Sequence, residues 1–374
     1  MKKIKVGITG PDGFLGKHLY QTLKLRPEVF ELVEFKRQYF NNDGLLDKFV
    51  SSCDVIVHLA AMNRHENEQV IYETNIGLVH TLISALKRTN SVPHIFISSS
   101  TQENRETLYG KSKRQGREAF VAWAEECSGK LTGMLIPNVY GAFGRPFYNS
   151  FIATFCYQLT HGDHPKIAND GEVNLIYVQD LVGKIADLII ESKHQPYYIV
   201  ESKDFKKVSE VLMLLEKFNN QYLKKGEIPS LNDKFELNLF NTYRSYIDHS
   251  SIYPRKFELN TDPRGTFVEI IRMGIGGQCS YSTTVSGITR GNHFHTRKIE
   301  RFAVIQGKAL IQLRKIDSEE VLSFYLDGNE PSYVDMPIWY THNIKNIGSE
   351  ELITIFWINE PYDPADPDTY FLNV

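Results

Sequence analysis

Ile4-Lys-Val-Gly-Ile8 is a short apolar run that breaks at once into Thr9-Gly10-Pro-Asp-Gly13-Phe14-Leu15-Gly16, and a helical pattern, Lys17-His-Leu-Tyr-Gln-Thr-Leu, follows directly. A strand that feeds a helix through so tight a turn rejoins its sheet as a parallel strand, so this opening commits the chain to a doubly wound α/β start. The later pattern agrees. Phe30 to Phe35 reads as a second strand and Asp54-Val-Ile-Val-His-Leu59-Ala60-Ala61 as a central parallel one. Asn75 to Leu86 reads as an amphipathic helix, and His94-Ile-Phe-Ile97 as a strand that ends in serines. Glycines spaced Gly-x-x-Gly-x-x-Gly let the backbone turn tightly and approach a pyrophosphate seated on a helix N-terminus. Gly10, Gly13, Phe14, Leu15 and Gly16 are therefore expected to bind a dinucleotide, with Leu59, Ala60 and Ala61 lying against it.

The second strand ends in Lys36-Arg37, where an NAD-specific site would carry an acid for the ribose hydroxyl. Two cations there suit a 2′-phosphate, and NADP(H) is the expected cofactor. Tyr109 stands four positions ahead of Lys113, so on a helix the phenol and the ammonium share a face. A neighbouring cation favours the phenolate and is expected to lower the phenol's pKa, making Tyr109 a usable general acid or base. Ser100, at the end of the serine strand, is placed to hydrogen-bond the same substrate oxygen.

These motifs, with His58-Leu-Ala-Ala61 closing the central strand and Pro137-Asn138-Val-Tyr140-Gly141 beyond, resemble the extended short-chain dehydrogenases that act on nucleotide sugars. The resemblance implies a Ser100, Tyr109, Lys113 trio, with Tyr109 passing a proton and Lys113 also holding the nicotinamide ribose. It makes Asn138 the start of a sugar-binding half, to which Asn149 also belongs. The family's 4,6-dehydratases carry Asp-Glu directly after the serine or threonine of the trio; here Thr101-Gln102 stand there, which argues against dehydration. Many relatives have arginine where this chain has Leu135.

Beyond Tyr253-Pro254 the periodicity changes to alternation: Phe267 to Ile271, Arg301 to Ile305, Lys308 to Arg314 and Leu352 to Trp357, broken by Gly307, Asp327-Gly328 and Gly348. Short strands at this spacing imply a jelly-roll barrel. Within it, His293 and His295 alternate on one strand, Glu300 returns across a turn, and His342 comes from another strand. Three imidazoles and a carboxylate suit zinc, iron, manganese or nickel, with zinc the metal expected. The spacing matches both cupin motifs, save that Pro331 and Trp339 replace glycines at turns. The stretch from Asp262-Pro-Arg-Gly-Thr-Phe-Val-Glu269 with Arg290-Gly-x-His293 also resembles the metal-free cupin epimerases of 4-keto-6-deoxy sugars, in which that histidine is the base. Whether His293 is a ligand or a base stays open.

Taken whole, the chain resembles the CapF-type bifunctional enzymes of capsular polysaccharide synthesis. The division expected is an NADP(H)-binding reductase domain over 1–248 and a metal-binding cupin over 249–374, with the helical stretch Asp204 to Tyr246 on the rim of the sugar half. The resemblance implies C3 epimerisation of a UDP-2-acetamido-2,6-dideoxy-4-ketohexose in the cupin, then NADPH-dependent reduction at C4 to a UDP-N-acetyl-6-deoxy-L-talosamine. It also implies a homodimer joined through the cupins. An alternative makes the cupin only a dimerisation or sugar-sensing module.

A formal charge of -3 over 374 residues gives no basic field for nucleic acid or an anionic membrane. No stretch approaches a membrane span, and the apolar run behind Met1-Lys-Lys is cut by Gly7 and Gly10, so no secretory leader is expected. The four cysteines show no paired spacing and are read as buried thiols in a reducing cytoplasm.

Overall fold

The computed structural model describes residues 2–262, 265–267, 270, 271, 273, 274, 276–360 and 363–374. Pro263, Arg264, Val268 and Glu269 of the expected Asp262-to-Glu269 motif lie outside the described residues. The chain divides into two compact units, Met1–Thr154 with Ala168–Val208, and Phe155–Ile167 with Ser209–Val374.

In the first unit, strands and helices alternate: β1 (Ile4–Thr9), α1 (Phe14–Lys24), β2 (Phe30–Val33), α2 (Asp43–Ser51), β3 (Val55–His58), α3 (Glu68–Thr89), β4 (His94–Ser100), α4 (Leu108–Cys127) and β5 (Leu131–Ile136). Next come β6 (Asn138–Tyr140), α5 (Phe151–Thr160), which runs on into the second unit, β7 (Glu172–Tyr177), α6 (Val178–Glu191), β8 (Gln195–Ile199) and β9 (Asp204–Lys207). The main sheet has the order β2-β1-β3-β4-β5-β8, and every pairing in it is parallel. Helices cover such a sheet, so its strands read as unbroken apolar runs, and β4 is buried along its whole length. Leu82, Leu86, Ile95, Phe120 and Trp123 pack together in the core, each burial contributing about 1.5–3 kcal/mol. A smaller sheet, β6-β7-β9, carries Asn138. Asp180 sits in the first turn of α6, whose cap residue is Tyr177. A carboxylate there complements the positive helix end.

In the second unit, α7 (Val208–Phe218), a π-turn (Asn219–Lys224), α8 (Lys234–Arg244) and α9 (His249–Ile252) lead into β10 (Arg255–Lys256), β11 (Asn260–Asp262) and β12 (Gly265–Phe267). The barrel strands follow: β13 (Gln278–Thr284), β14 (Thr289–Phe294), β15 (Glu300–Gln306), β16 (Lys308–Lys315), β17 (Val321–Asp327), β18 (Ser332–Met336), β19 (Tyr340–Asn346), β20 (Leu352–Ile358) and β21 (Tyr370–Phe371). They form two five-stranded antiparallel sheets, β10-β18-β15-β20-β13 and β17-β16-β19-β14-β21, with Ala303, Val304, Ile311, Leu313, Val334 and Ile344 packed in the core.

The helices after Val208, expected on the rim of the sugar half, fold with the barrel. The reason is a buried polar cluster. Tyr222 donates to Asp335 Oδ2 at 2.6 Å, Arg244 donates to Tyr222 Oη at 3.2 Å and to Met336 O at 2.9 Å, and Arg301 donates to Gly226 O at 3.0 Å. Of the four cysteines expected to be buried, Cys156 is, Cys53 and Cys127 are half-buried, and Cys279 is exposed, because alternate residues of the edge strand β13 face outward. Among the described residues no helix is long and apolar enough to cross a membrane.

Candidate active site and candidate metal centre

The glycine turn between β1 and α1 is built by close approach. Gly10 adopts φ +74°, and a Cβ there would meet the Ala60 backbone at 3.0 Å; a Cβ at Gly16 would stand 2.1 Å from Gly10 O. Gly13 caps α1 without a side-chain hydrogen bond, so the first N–H groups of the helix have no capping side chain. The turn opens on a cavity of about 530 Å³ whose wall includes Gly10, Gly13, Phe14, Leu15, Gly16, Leu59 and Ala61. Ser100, Tyr109, Lys113, Asn138 and Asn149 line the same cavity. Ala60 backs the turn. Lys36 and Arg37 are exposed and lie outside this wall, with Lys36 Nζ 3.1 Å from Glu34 Oε1 and Arg37 opening a 3-10 turn.

The trio comes from two elements. β4 ends at Ser100, whose hydroxyl accepts from Gln102 N at 3.1 Å and starts a 3-10 turn over Thr101–Asn104. α4 is capped by Thr107, accepting from Gly110 N, and presents Tyr109 and Lys113 one turn apart. Burial pushes the Tyr109 phenol up to about 12, with the Ser100 hydroxyl working the other way. This reverses the expected lowering by Lys113. The Lys113 ammonium lies 5.8 Å from the Tyr109 ring centroid and donates to Ser98 O at 3.0 Å, and burial pulls its own pKa down to about 8.

Several supporting contacts were not read from the sequence. His58 Nδ1 meets Thr9 Oγ1 at 2.8 Å beneath the turn. Asn75 accepts from Met62 N at 2.7 Å and donates to Ser112 Oγ at 3.1 Å, tying the loop after β3 to α4. Glu103, 1% exposed, accepts from Ser99 Oγ at 2.5 Å and forms a two-armed pair with Arg117 at 3.0 and 3.1 Å. Gly133 leaves room for this guanidinium's stem, since a Cβ there would meet Arg117 Cδ at 2.8 Å. Leu135 pairs with Ser99 in register, so the cation beside Ser99 comes from α4 and not from β5.

In the barrel, His293 on β14 stands opposite His342 on β19, His295 follows β14, and Glu300 opens β15. One ligand atom from each of the four lies within 4.8 Å of all the others. Glu300 Oε2 is 2.9 Å from His295 Nε2 and 3.2 Å from His342 Nε2. Burial alone would raise Glu300, but His295 and His342 outweigh it and hold the carboxyl well below the usual range. Burial, then His342, pulls His293 down to about 4. Burial opposes charge on His295, yet its hydrogen bond with Glu300 leaves it raised. His342 Nε2 is buried without a well-aligned hydrogen bond, although Glu300 Oε2 lies 3.2 Å away. A cation satisfies such a set better than protons do, and three imidazoles with one carboxylate fit zinc or a similar divalent ion. Trp339, at a turn expected to need glycine, keeps a left-handed backbone at φ +61° and donates its backbone N–H to His295 O at 2.8 Å.

Among known proteins, residues 6–199 match the NAD dependent epimerase/dehydratase family and residues 260–370 the polysaccharide biosynthesis C-terminal domain. A Pseudomonas aeruginosa protein named UDP-2-acetamido-2,6-beta-L-arabino-hexul-4-ose reductase is 31% identical over 380 residues, covering 99% of each chain. The crystal structure of capsular polysaccharide assembling protein CapF from Staphylococcus aureus aligns over 99% of this chain and 100% of its own, with TM-score 0.62 and 34% identity. RMD from Pseudomonas aeruginosa, complexed with NADPH, aligns over 58% of this chain and 84% of its own at TM-score 0.52 and 19% identity, a likeness of fold.

Proposed function

The chain belongs to the NAD dependent epimerase/dehydratase family, with a polysaccharide biosynthesis C-terminal domain behind it, and from that premise we propose that it is a bifunctional nucleotide-sugar enzyme. Its substrate is a UDP-2-acetamido-2,6-dideoxy-4-ketohexose. The barrel epimerises C3 and the first unit reduces the C4 ketone with NADPH, giving a UDP-N-acetyl-6-deoxy-L-talosamine. The observation that carries this reading is the placement of Ser100, Tyr109 and Lys113 on the wall that also holds the glycine turn. The reductase name of the Pseudomonas aeruginosa relative supports it.

The nicotinamide, when bound, supplies the hydride. Tyr109, a phenol that is protonated at neutrality and that burial pushes further up, gives its proton to the C4 oxygen as negative charge develops there. Ser100 hydrogen-bonds the same oxygen, and Lys113 brings positive charge beneath the phenol. Asn138 and Asn149 face the sugar. Lys36 and Arg37 meet the 2′-phosphate, the reason for preferring NADPH.

In the barrel, His293, His295, Glu300 and His342 would hold a zinc ion, which when bound polarises a carbonyl as a Lewis acid. A C3 hydrogen is acidic only while C4 is a ketone, so epimerisation precedes reduction. We read the protein as a cytoplasmic homodimer joined through its barrels.

The test is incubation with a UDP-4-keto sugar in deuterated water, with and without NADPH. Deuterium at C3 without NADPH, and a reduced, C3-deuterated sugar with it, are expected. NADPH oxidation with no deuterium uptake at C3 would leave a plain reductase whose barrel serves assembly or sugar sensing.

A further inference from the structure

The chain after the barrel returns to the four clustered residues. Asp368 is 2% exposed and takes a left-handed backbone, φ +39°, a conformation that aspartate tolerates better than most residues. Its carbonyl oxygen is 2.5 Å from His295 Nδ1. A carbonyl can only accept, so Nδ1 carries a proton there and Nε2 is the nitrogen turned toward Glu300, 2.9 Å away. Its carboxylate gathers the segment that joins His295 to Glu300: Oδ1 accepts from Thr296 N at 3.1 Å and Thr296 Oγ1 at 2.7 Å, while Oδ2 accepts from Arg297 N at 3.0 Å and Lys298 N at 3.1 Å. Lys298 Nζ donates to Pro367 O at 2.7 Å.

The following residues reach the other two members. Phe371 pairs with His293 across β14 and β21, Leu372 N donates to Asn292 O at 2.9 Å, and the Thr341 hydroxyl, next to His342, donates to Leu372 O.

We propose that Asp368 is a positioning residue for a metal centre, fixing the tautomer and aim of His295 through its carbonyl and the His295-to-Glu300 loop through its carboxylate. This rests on reading His293, His295, Glu300 and His342 as ligands. Removing the acceptor that orients a ligating imidazole typically costs 10–100-fold in metal affinity. A carboxylate holding backbone donors of three successive residues acts on the same ligand from its other side.

The full-length Asp368→Asn variant tests the proposal, since it keeps size and carbonyl but turns one acceptor into a donor facing backbone N–H groups. Zinc affinity is measured by competition with a chromophoric chelator, the absorption spectrum of the cobalt(II)-loaded form is recorded, and thermal unfolding is followed with and without zinc. Zinc affinity is expected to fall toward the lower end of about 10–100-fold, because the carbonyl that orients His295 is kept and only the carboxylate's hold on the loop is lost; the cobalt spectrum is expected to change, and the melting temperature to fall more in the zinc-loaded than in the metal-free protein. Thr296→Val, which deletes one hydroxyl donor, should show the same pattern more weakly and decides the question if Asp368→Asn does not fold. Wild-type affinity with an unchanged cobalt spectrum would overturn the assignment. So would equal losses of stability with and without zinc, which would make Asp368 a support of the fold alone. A wild-type protein that binds no zinc would instead overturn the ligand reading.

Discussion

In Tyr109 and Lys113 burial acts in opposite directions on the two members of one pair. Burial raises the phenol to about 12 and lowers the ammonium to about 8, so near neutrality Tyr109 holds the proton that ketone reduction requires, while Lys113 keeps the charge that helps release it. As pH rises past 8, Lys113 loses its proton before Tyr109 does. For reduction, kcat/KM should therefore hold level below about pH 8 and fall above it. Tyr109→Phe should cost roughly 10²–10⁴ in the rate of NADPH oxidation without touching C3 deuterium uptake; normal turnover in that variant would remove Tyr109 from the chemistry. The grouping of Ser100, Tyr109 and Lys113, and of His293, His295 and Glu300, was legible because these residues lie close in sequence at spacings that a helix or a strand converts into proximity, whereas His342, on a distant strand, was legible only through its motif. Glu103 and Arg117 were not, since their pairing depends on how a 3-10 turn folds back against α4. The direction of the Tyr109 shift was misjudged for a related reason. Spacing places an ammonium near a phenol but does not show how deeply the fold buries that phenol.

Strands and helices of the first unit could be read from their own residues, because apolar runs and amphipathic periods are local signals. The allegiance of the helices after Val208 could not. Their helical pattern was visible, but what binds them to the barrel is Asp335, more than a hundred residues beyond Tyr222, held by Arg301 at 2.7 and 3.0 Å and by the Tyr222 hydroxyl. Every member of this cluster is buried. Deleting one partner leaves a desolvated charge, so Asp335→Ala should destabilise the second unit by about 3–5 kcal/mol. NADPH binding should be unchanged, because the glycine turn and the trio belong to the first unit. Replacing Arg301 and Asp335 together with apolar residues should recover most of the loss. Denaturant unfolding of the three variants beside a cofactor titration checks this, and a loss of less than about 1 kcal/mol in Asp335→Ala would show the cluster to be loosely solvated.

The proposed pairing of two catalytic units on one chain makes sense when the product of one is the substrate of the other and order matters. A ketone at C4 activates C3, and its reduction ends that activation, so a reductase acting first would strand the wrong epimer. The two candidate sites divide along the chain: the trio lies in the first unit and the four clustered residues lie in the second. The two activities should therefore be separable by a reagent that acts on only one of them. Stripping divalent metal with a chelator should lower deuterium uptake at C3 to background. NADPH oxidation with an already epimerised 4-ketose should continue at its original rate, since Ser100, Tyr109 and Lys113 use no metal. With the unepimerised ketose, product formation should stop at the first step, and added zinc should restore it. Elemental analysis beside proton exchange at C3 decides between the outcomes. Metal-free protein that still exchanges C3 would leave the ion as a staple for the barrel, where binding stabilises the fold, and would move the epimerisation to a side-chain base acting alone.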